Sequence, residues 1–222
     1  MMLVDGVYNV ATGSAAWATG KQRTFIEGDE AGVLGDIYRD DVNMVVWQRE
    51  LPNAVQQDVD WLFANRPGFN LTMTVTPKDV QARLDEAFGV DTDTALSRDI
   101  TEVVDMFCYL FDLPRAGLRL AELTTAMCPK FHVDRVPCRL ITTYRNVATE
   151  WLPHGAVDRT SLGSSERSVA FVPRAIRQLR SGDIALLKGE AWVGNADAGL
   201  VHRSPALLPG SKRLLLTVDF SR

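Results

Sequence analysis

The spacing of apolar side chains predicts alternating strands and helices over the first 115 residues. Residues 69–76, FNLTMTVT, alternate apolar and polar side chains, which is the period of a strand with one buried face. Residues 52–66 instead repeat apolar side chains every three or four positions behind a proline, as an amphipathic helix does. The same criteria predict a strand over 42–51 and helices over 77–89 and 97–113, the last with Ser97 as its N-cap.

After Pro114 the chain consists of short apolar runs separated by turn residues. The runs are LRLAELT (118–124), CRLITTY (138–144), SVAFVP (168–173), DIALLKG (183–189), AGLVHRS (198–204) and RLLLTVDF (213–220). Regularly spaced short strands predict an all-β sandwich or barrel. We therefore expect an α+β protein in which a mixed α/β part, residues 1–115, buttresses a β-rich part, residues 116–222. The apolar face of the 97–113 helix should cover one sheet.

Composition restricts the classes to which the chain can belong. With 222 residues, 46% of them hydrophobic, it can bury a substantial core, and it has no run of about 18 apolar residues that could span a membrane. Its first 20 residues lack the basic start of a secretory signal, and its three cysteines form no CxxC pair. These features suit a reducing compartment, so we expect a cytoplasmic protein that does not bind a membrane.

Charge is distributed unevenly along the chain. Residues 1–130 hold 11 basic and 20 acidic side chains, a balance of −9, whereas residues 131–222 hold 13 and 8, a balance of +5. Two solvated faces of opposite sign would produce this pattern, but it also favours a small anionic ligand for the C-terminal part. The basic residues are scattered and have few aromatic neighbours, so no nucleic-acid partner is expected. The expected partner is a small-molecule or side-chain substrate.

A histidine and an aspartate stand two residues apart in FHVDRVPCRL, residues 131–140. Side chains at positions i and i+2 of a strand point to the same side, so His132 and Asp134 can face one ion together. The chain has three histidines, and His202, 68 residues after Asp134 and on another predicted strand, can supply a third ligand. Two histidines and a carboxylate form the facial triad of non-haem Fe(II) oxygenases, which leaves other coordination positions open.

Arg213 stands 11 residues after His202, at the start of the run RLLLTVDF. A short hairpin through residues 204–212 would place that strand antiparallel beside the strand of His202, and Arg213 would then reach the bottom of the same pocket. A planar guanidinium at this position suits bidentate recognition of a carboxylate.

Simpler explanations exist for each of these residues. A lone histidine is more often a core or surface residue than a ligand, and Arg213 could be an ion-paired strand residue. His154 lies in a turn-rich segment and is expected to be exposed or to face substrate. Cys128, His132 and Cys138 could form a zinc site, but their spacing matches no standard pattern, and simply buried thiols are the alternative.

The order HVD, distal His, then Arg resembles the signature of the 2-oxoglutarate/Fe(II)-dependent dioxygenase superfamily. RLITTYRNVATEWLP resembles the strand that follows HxD in prolyl-hydroxylase-like members, and SGDIALLKGE resembles their turn and strand before the distal histidine. This resemblance covers about residues 116 to 222. A more specific likeness, through MCPKFHVDRVPCRLITTY, TEWLP and GLVHRSP, is to the bacterial domain of unknown function 1826 family.

The resemblance implies a fold, cofactors and roles. Residues 116–222 would form a double-stranded β-helix, the cupin-like jelly roll, and the iron ligands would be His132, Asp134 and His202. Arg213 would anchor the distal carboxylate of the cosubstrate 2-oxoglutarate, with Tyr144 and Thr149 as hydroxyl partners for that carboxylate. Many members have Ser or Thr two residues after this arginine, where this chain has Leu215; the hydroxyl then comes from Thr217 or is absent. The alternative is a non-oxidative cupin-like protein that binds or senses Zn(II) or another divalent metal.

Overall fold

The structure is a computed structural model that describes residues 22–91, 93–162 and 171–221. In these ranges it has three α-helices: α1 (Asn53–Asn65), α2 (Val80–Phe88) and α3 (Ala95–Leu110). The strands are β1 (Thr24–Gly28), β2 (Val42–Trp47), β3 (Asn70–Val75), β4 (Ala116–Leu123), β5 (Cys138–Arg145), β6 (Glu150–Leu152), β7 (Arg177–Gln178), β8 (Ile184–Lys188), β9 (Val201–Arg203) and β10 (Arg213–Phe220). Short 3₁₀ turns connect several of them, the longest over Ala31–Tyr38.

Seven strands form a large sheet in the order β1-β2-β8-β5-β10-β4-β3. Neighbouring strands run antiparallel, except for the parallel pair β1 and β2. The strand β10 lies inside the sheet, where Leu216 pairs with Thr142 of β5 on one side and with Leu120 of β4 on the other. Strands from both sides of residue 115 share this sheet, and a domain boundary there stays a prediction.

Three short strands form a second sheet in the order β7-β6-β9, with antiparallel pairing throughout. One antiparallel bridge between His132 and His202 adds the segment before β5 to the free side of β9. The small sheet therefore holds both histidines as direct neighbours.

The three helices cover one face of the large sheet. Alternate strand residues such as Leu118, Leu140 and Leu216 are buried in one cluster with Ile100 and Phe107 of α3. The helix begins two residues before the predicted start, because Thr94, not Ser97, is the N-cap. The Thr94 side chain accepts from the Ser97 backbone, and the Ser97 side chain accepts in return, which satisfies donors that the first turn leaves unpaired.

The opposite face of the large sheet packs against the small sheet. Ile141, Leu187 and Leu215 of the large sheet are buried in a cluster with Trp151 and Leu200 from the small-sheet side. The fold is therefore mixed α+β with a large, mostly antiparallel sheet, covered by helices on one face and by a second sheet on the other. The candidate site lies between the two sheets.

The predicted strands agree with the structure in most of the chain it describes. The run 168–173 is an exception: its first three residues lie outside the described ranges, and Phe171 makes a single bridge to Val157. The first 20 residues, on which the prediction about a secretory signal depends, also lie outside them. Within the described ranges, no helix combines the length and the apolar character needed to cross a membrane.

Candidate metal centre

His132, Asp134 and His202 converge at one end of the small sheet. The Nε2 atom of His132 lies 3.8 Å from Oδ1 of Asp134, and Nε2 of His202 lies 3.5 Å from Oδ2 of the same carboxylate. Potential ligand atoms of the three residues all lie within 4.8 Å of one another. Neighbouring octahedral ligands at about 2.0–2.2 Å from a shared ion lie roughly 3 Å apart, so these atoms must move closer together to bind it. The three side chains can therefore hold one divalent cation after small adjustments.

Backbone carbonyls set the orientation of both imidazoles. Nδ1 of His132 lies 2.9 Å from the carbonyl oxygen of Lys130, and Nδ1 of His202 lies 3.2 Å from that of Leu200. Because a carbonyl can only accept, each Nδ1 carries the proton and each Nε2 presents a lone pair to the centre. Burial lowers the pKa of His202 to about 4, so this imidazole is neutral near pH 7, the form that binds a metal.

Asp134 is held by a turn and not by a strand, in contrast to the strand predicted for the HxD segment. Its backbone carbonyl accepts from the N–H of Glu190, at 2.9 Å, directly after β8. A Cβ atom at Gly189 would collide with the carbonyl oxygens of Asp134 and Val136, so only glycine lets the two backbones approach this closely. Glycine at this position therefore places the carboxylate beside the histidines.

Arg139 orients the carboxylate of Asp134 by a hydrogen bond. Its Nη1 donates to Oδ2 of Asp134 at 2.9 Å, and its Nε and Nη2 donate to the two carboxylate oxygens of Asp219 at 2.8 and 2.9 Å. Arg139 of β5 and Asp219 of β10 are direct partners in the large sheet. Because Oδ2 of Asp134 is engaged, Oδ1 is the freer atom for a metal. This role could not be predicted from the sequence, because the pairing of β5 with β10 is not visible in the local pattern.

We expect Arg139→Gln to weaken Mn(II) binding by roughly 10-fold or more, because the carboxylate ligand loses the partner that orients it. Arg145→Gln is the matched control: Arg145 lies on the same strand but pairs with Asp60, away from the centre. Electron paramagnetic resonance of free Mn(II) in a titration measures both affinities. Equal weakening in the two variants, or none in Arg139→Gln, would contradict this role.

Arg213, the first residue of β10, lies at the inner end of the same region with only 1% of its surface exposed. Its Nη1 donates to the hydroxyl of Ser204 at 2.9 Å, and its Nη2 donates to the hydroxyls of Thr143 at 3.0 Å and Thr149 at 2.9 Å. The Nε atom is buried without a partner. In the described parts of the chain, no carboxylate forms an ion pair with this guanidinium.

Burial lowers the pKa of Arg213 to about 10, so the side chain still carries its charge at neutral pH. A buried charge without a counter-charge is costly, and neutral hydroxyl groups offset only part of that cost. An anion beside Arg213 would supply the missing charge and an acceptor for its donors.

A cavity joins Arg213 to the histidines. Its walls combine charged, hydroxyl and apolar side chains: Met127, Cys128, His132, Arg139, Ile141, Thr149, His202, Arg203, Ser204, Arg213, Leu215 and Thr217. A small ligand can therefore contact the cation site with one end and the guanidinium with the other.

Two predictions about this pocket are wrong. The strand of Arg213 does not form a hairpin beside β9, because residues 204–212 carry the chain to the other sheet, where β10 pairs with β4 and β5. Tyr144 does not join the pocket either: it lies on the helix-facing side of β5, where its hydroxyl donates to Asp99 at 2.6 Å. The neighbouring Thr143 points into the pocket instead, and its hydroxyl accepts a hydrogen bond from Arg213.

The remaining predicted residues are placed as follows. Thr149 contacts Arg213, and Leu215 and Thr217 line the cavity, while Ser204 was not predicted. Period-two alternation from Arg213 would have assigned Leu215 and Thr217 to this face.

Two other predictions concern residues outside the site formed by His132, Asp134 and His202. His154 is buried, not exposed, and burial lowers its pKa to about 4. Cys138 is buried in the helix-facing core, whereas Cys128 is exposed.

Comparison with protein families gives one match that covers most of the chain. The family described as Protein of unknown function (DUF1826) matches residues 28–219. This range includes His132, Asp134, His202 and Arg213. A comparison with curated proteins finds no match.

Comparison with solved structures finds proteins of similar fold. A structure of JOX2 in complex with 2OG, Fe and JA matches with a TM-score of 0.50 at 9% identity, over 92% of this chain and 78% of that one. A rice dioxygenase for auxin oxidation matches with a TM-score of 0.48 at 12% identity, over 89% and 82%. Its Arabidopsis thaliana counterpart AtDAO1, a 2-oxoglutarate complex, has the same score at 9% identity, over 89% and 91%. The JOX2 match shows a shared fold, and at such identities it shows nothing more.

Proposed function

The chain belongs to the DUF1826 family, and from the geometry of its candidate site we propose that it is an Fe(II)- and 2-oxoglutarate-dependent oxygenase of the hydroxylase type. The observation that carries the proposal is a single cavity whose walls include two histidines of the triad and a buried guanidinium that has no counter-ion among the described residues. This combination suits a ligand that chelates the metal at one end and presents a carboxylate at the other. 2-Oxoglutarate has this form.

We propose that residues 116–222 form a double-stranded β-helix. In such a fold, eight segments alternate between two facing sheets. The order β8-β5-β10-β4 in the large sheet, and β7-β6-β9 followed by the His132 segment in the small sheet, supports this arrangement. The strands β1, β2 and β3 then extend the large sheet at its two ends. The JOX2 structure, whose fold the chain shares, is described as holding 2OG and Fe, which supports these two groups as ligands here.

Each part of the site has a distinct task in this proposal. His132, Asp134 and His202 hold Fe(II) on one side and leave the other side open. When bound, Fe(II) and 2-oxoglutarate together activate dioxygen, and the cosubstrate is converted to succinate and CO₂. Arg213 fixes the far carboxylate of the cosubstrate, and apolar walls such as Leu215 keep water from that end of the cavity.

We expect an anaerobic mixture of the protein, Fe(II) and 2-oxoglutarate to develop a visible metal-to-ligand absorption band that either addition alone does not produce. The band reports chelation of the metal by the cosubstrate at the triad. Zn(II) in place of Fe(II) is the control, because it has no such transition. Absorption that stays unchanged on adding 2-oxoglutarate would contradict the proposal and favour a non-oxidative divalent-metal protein.

A further inference from the structure

We propose that the substrate of this oxygenase carries a carboxylate group, and that Arg159 binds it in a second cavity on the outer side of His132. This inference deepens the proposed function and rests on it. The second cavity is open to solvent and is lined by His132, Val133, Arg135, Arg159, Leu162, Glu190 and Asp197. His132 is the residue it shares with the cavity of Arg213. A molecule in the second cavity therefore lies beside the metal ligands without occupying the proposed cosubstrate pocket.

The guanidinium of Arg159 has donors without acceptors. Its Nη2 donates to the backbone carbonyl of Gly199, whereas Nε and Nη1 are buried and have no hydrogen-bond partner among the residues that the structure describes. Leaving buried donors of a charged group unpaired is costly, and a carboxylate is an acceptor of matching charge. Unpaired donors on a positive charge are what we expect of a residue that binds an anionic ligand, and Arg159 has them.

The nearby acidic side chains do not satisfy Arg159. The two carboxylate oxygens of Glu190 accept from the backbone N–H groups of Asp197, at 2.7 Å, and Gly199, at 3.3 Å. The side chain of Asp197 is exposed, and in the described ranges neither carboxylate forms an ion pair with Arg159. Burial and the positive charge of Arg23 lower the pKa of Arg159, whereas the charges of the two carboxylates raise it. Among the described residues, the charge of Arg159 therefore has no close counter-charge.

The remaining walls indicate what else the substrate carries. Val133 and Leu162 contribute apolar surface to the cavity that also contains the guanidinium and His132. Arg135, which is exposed, adds a second positive charge at the edge of the cavity. A carboxylate attached to an apolar body fits this arrangement: the charge would pair with Arg159, and the body would extend toward the metal.

Binding of model carboxylates tests the inference. Hexanoate and benzoate, with their neutral amides hexanamide and benzamide, are compared by saturation-transfer difference NMR on the full-length protein. We expect at least one carboxylate to bind about tenfold or more tightly than its amide, because only the carboxylate pairs with the charge. Arg159→Gln should remove this preference. The exposed Arg135→Gln, which is expected to fold normally, should reduce it in part.

Arg213→Gln is the matched control, since it removes the other carboxylate site. The preference should persist in Arg213→Gln and should also persist when 2-oxoglutarate saturates the wild-type protein. With Mn(II) bound, the protons of the bound carboxylate should show faster relaxation, which reports proximity to the metal. Equal binding of acid and amide, or a preference that is lost in Arg213→Gln and kept in Arg159→Gln, would overturn the inference. Binding of 2-oxoglutarate itself, measured separately, decides whether the proposed function fails.

Discussion

Replacing His202 or His132 with alanine is expected to abolish stoichiometric Fe(II) binding. Each variant keeps only two of the three converging ligands, and two protein ligands rarely hold a catalytic ion against water. His132 is partly exposed, so its removal should leave the fold intact. His202 is buried, and its variant therefore needs a circular-dichroism spectrum beside the binding measurement.

Anaerobic equilibrium dialysis with Fe(II) measures the bound metal per chain. His154→Gln is the matched control, because His154 is also buried with a lowered pKa but lies outside the cluster. We expect near-wild-type stoichiometry in that variant. If both alanine variants bind as much Fe(II) as the wild type, the three residues are not the metal site.

Arg213→Lys is expected to lower the affinity for 2-oxoglutarate by roughly 30-fold or more. The lysine keeps the charge but loses the planar fork, and disrupting a buried charge pair typically costs about 2–5 kcal/mol. Mn(II) binding should be nearly unchanged, since Arg213 is not among the converging ligands. This separation of two affinities distinguishes an oxygenase from a simple metal-binding protein.

Isothermal titration of 2-oxoglutarate into the Mn(II)-loaded protein measures this affinity without turnover. Arg203→Lys is the control within the same cavity: Arg203 lines the wall, but its charge is already paired with Glu150 at 2.6 Å. A loss confined to Arg213→Lys supports the anchoring role. Equal affinity in wild type and Arg213→Lys, or binding in neither, would favour the non-oxidative metal-binding alternative.

The residues that converge at the metal centre could be predicted because local spacing and residue chemistry point to them. His132 and Asp134 are two apart, and His202 is one of only two other histidines in the chain. The geometry behind the convergence could not be predicted. It depends on the turn after β8, where Gly189 allows a backbone approach that no sequence period reports.

The hydroxyl partners of Arg213 illustrate a second limit. The strand β5 is buried on both faces, by helices on one side and by the small sheet on the other, so it shows no polar–apolar alternation. Without that alternation Thr143 and Tyr144 are equally plausible inward residues, and an error of one position exchanges the two faces. The family resemblance implied Tyr144 as a hydroxyl partner in the pocket, but Thr143 is the residue that points into it.

The predicted hairpin failed for a different reason. Closeness along the chain favours pairing of β9 with β10, but the apolar residues of β10 are buried on both faces of the strand. A strand of that kind needs a place inside a large sheet, and the gap between β4 and β5 offers hydrogen-bonding partners on both sides. Whether β10 pairs with a local or a distant strand depends on burial across the whole sheet. A local sequence pattern does not contain that information.

The interior position of β10 also has a consequence for how the sheet and the metal site form during synthesis. Until residues 213–220 have been synthesised, β4 and β5 have facing edges with unpaired backbone groups, and such edges promote association between chains. The arrival of β10 closes this gap and at the same moment brings Asp219 to Arg139, the residue that orients Asp134. Ordering of the metal-ligating carboxylate is therefore linked to the pairing of β10 with β5. A nascent chain that has not completed the sheet would lack a fully formed site for a redox-active ion.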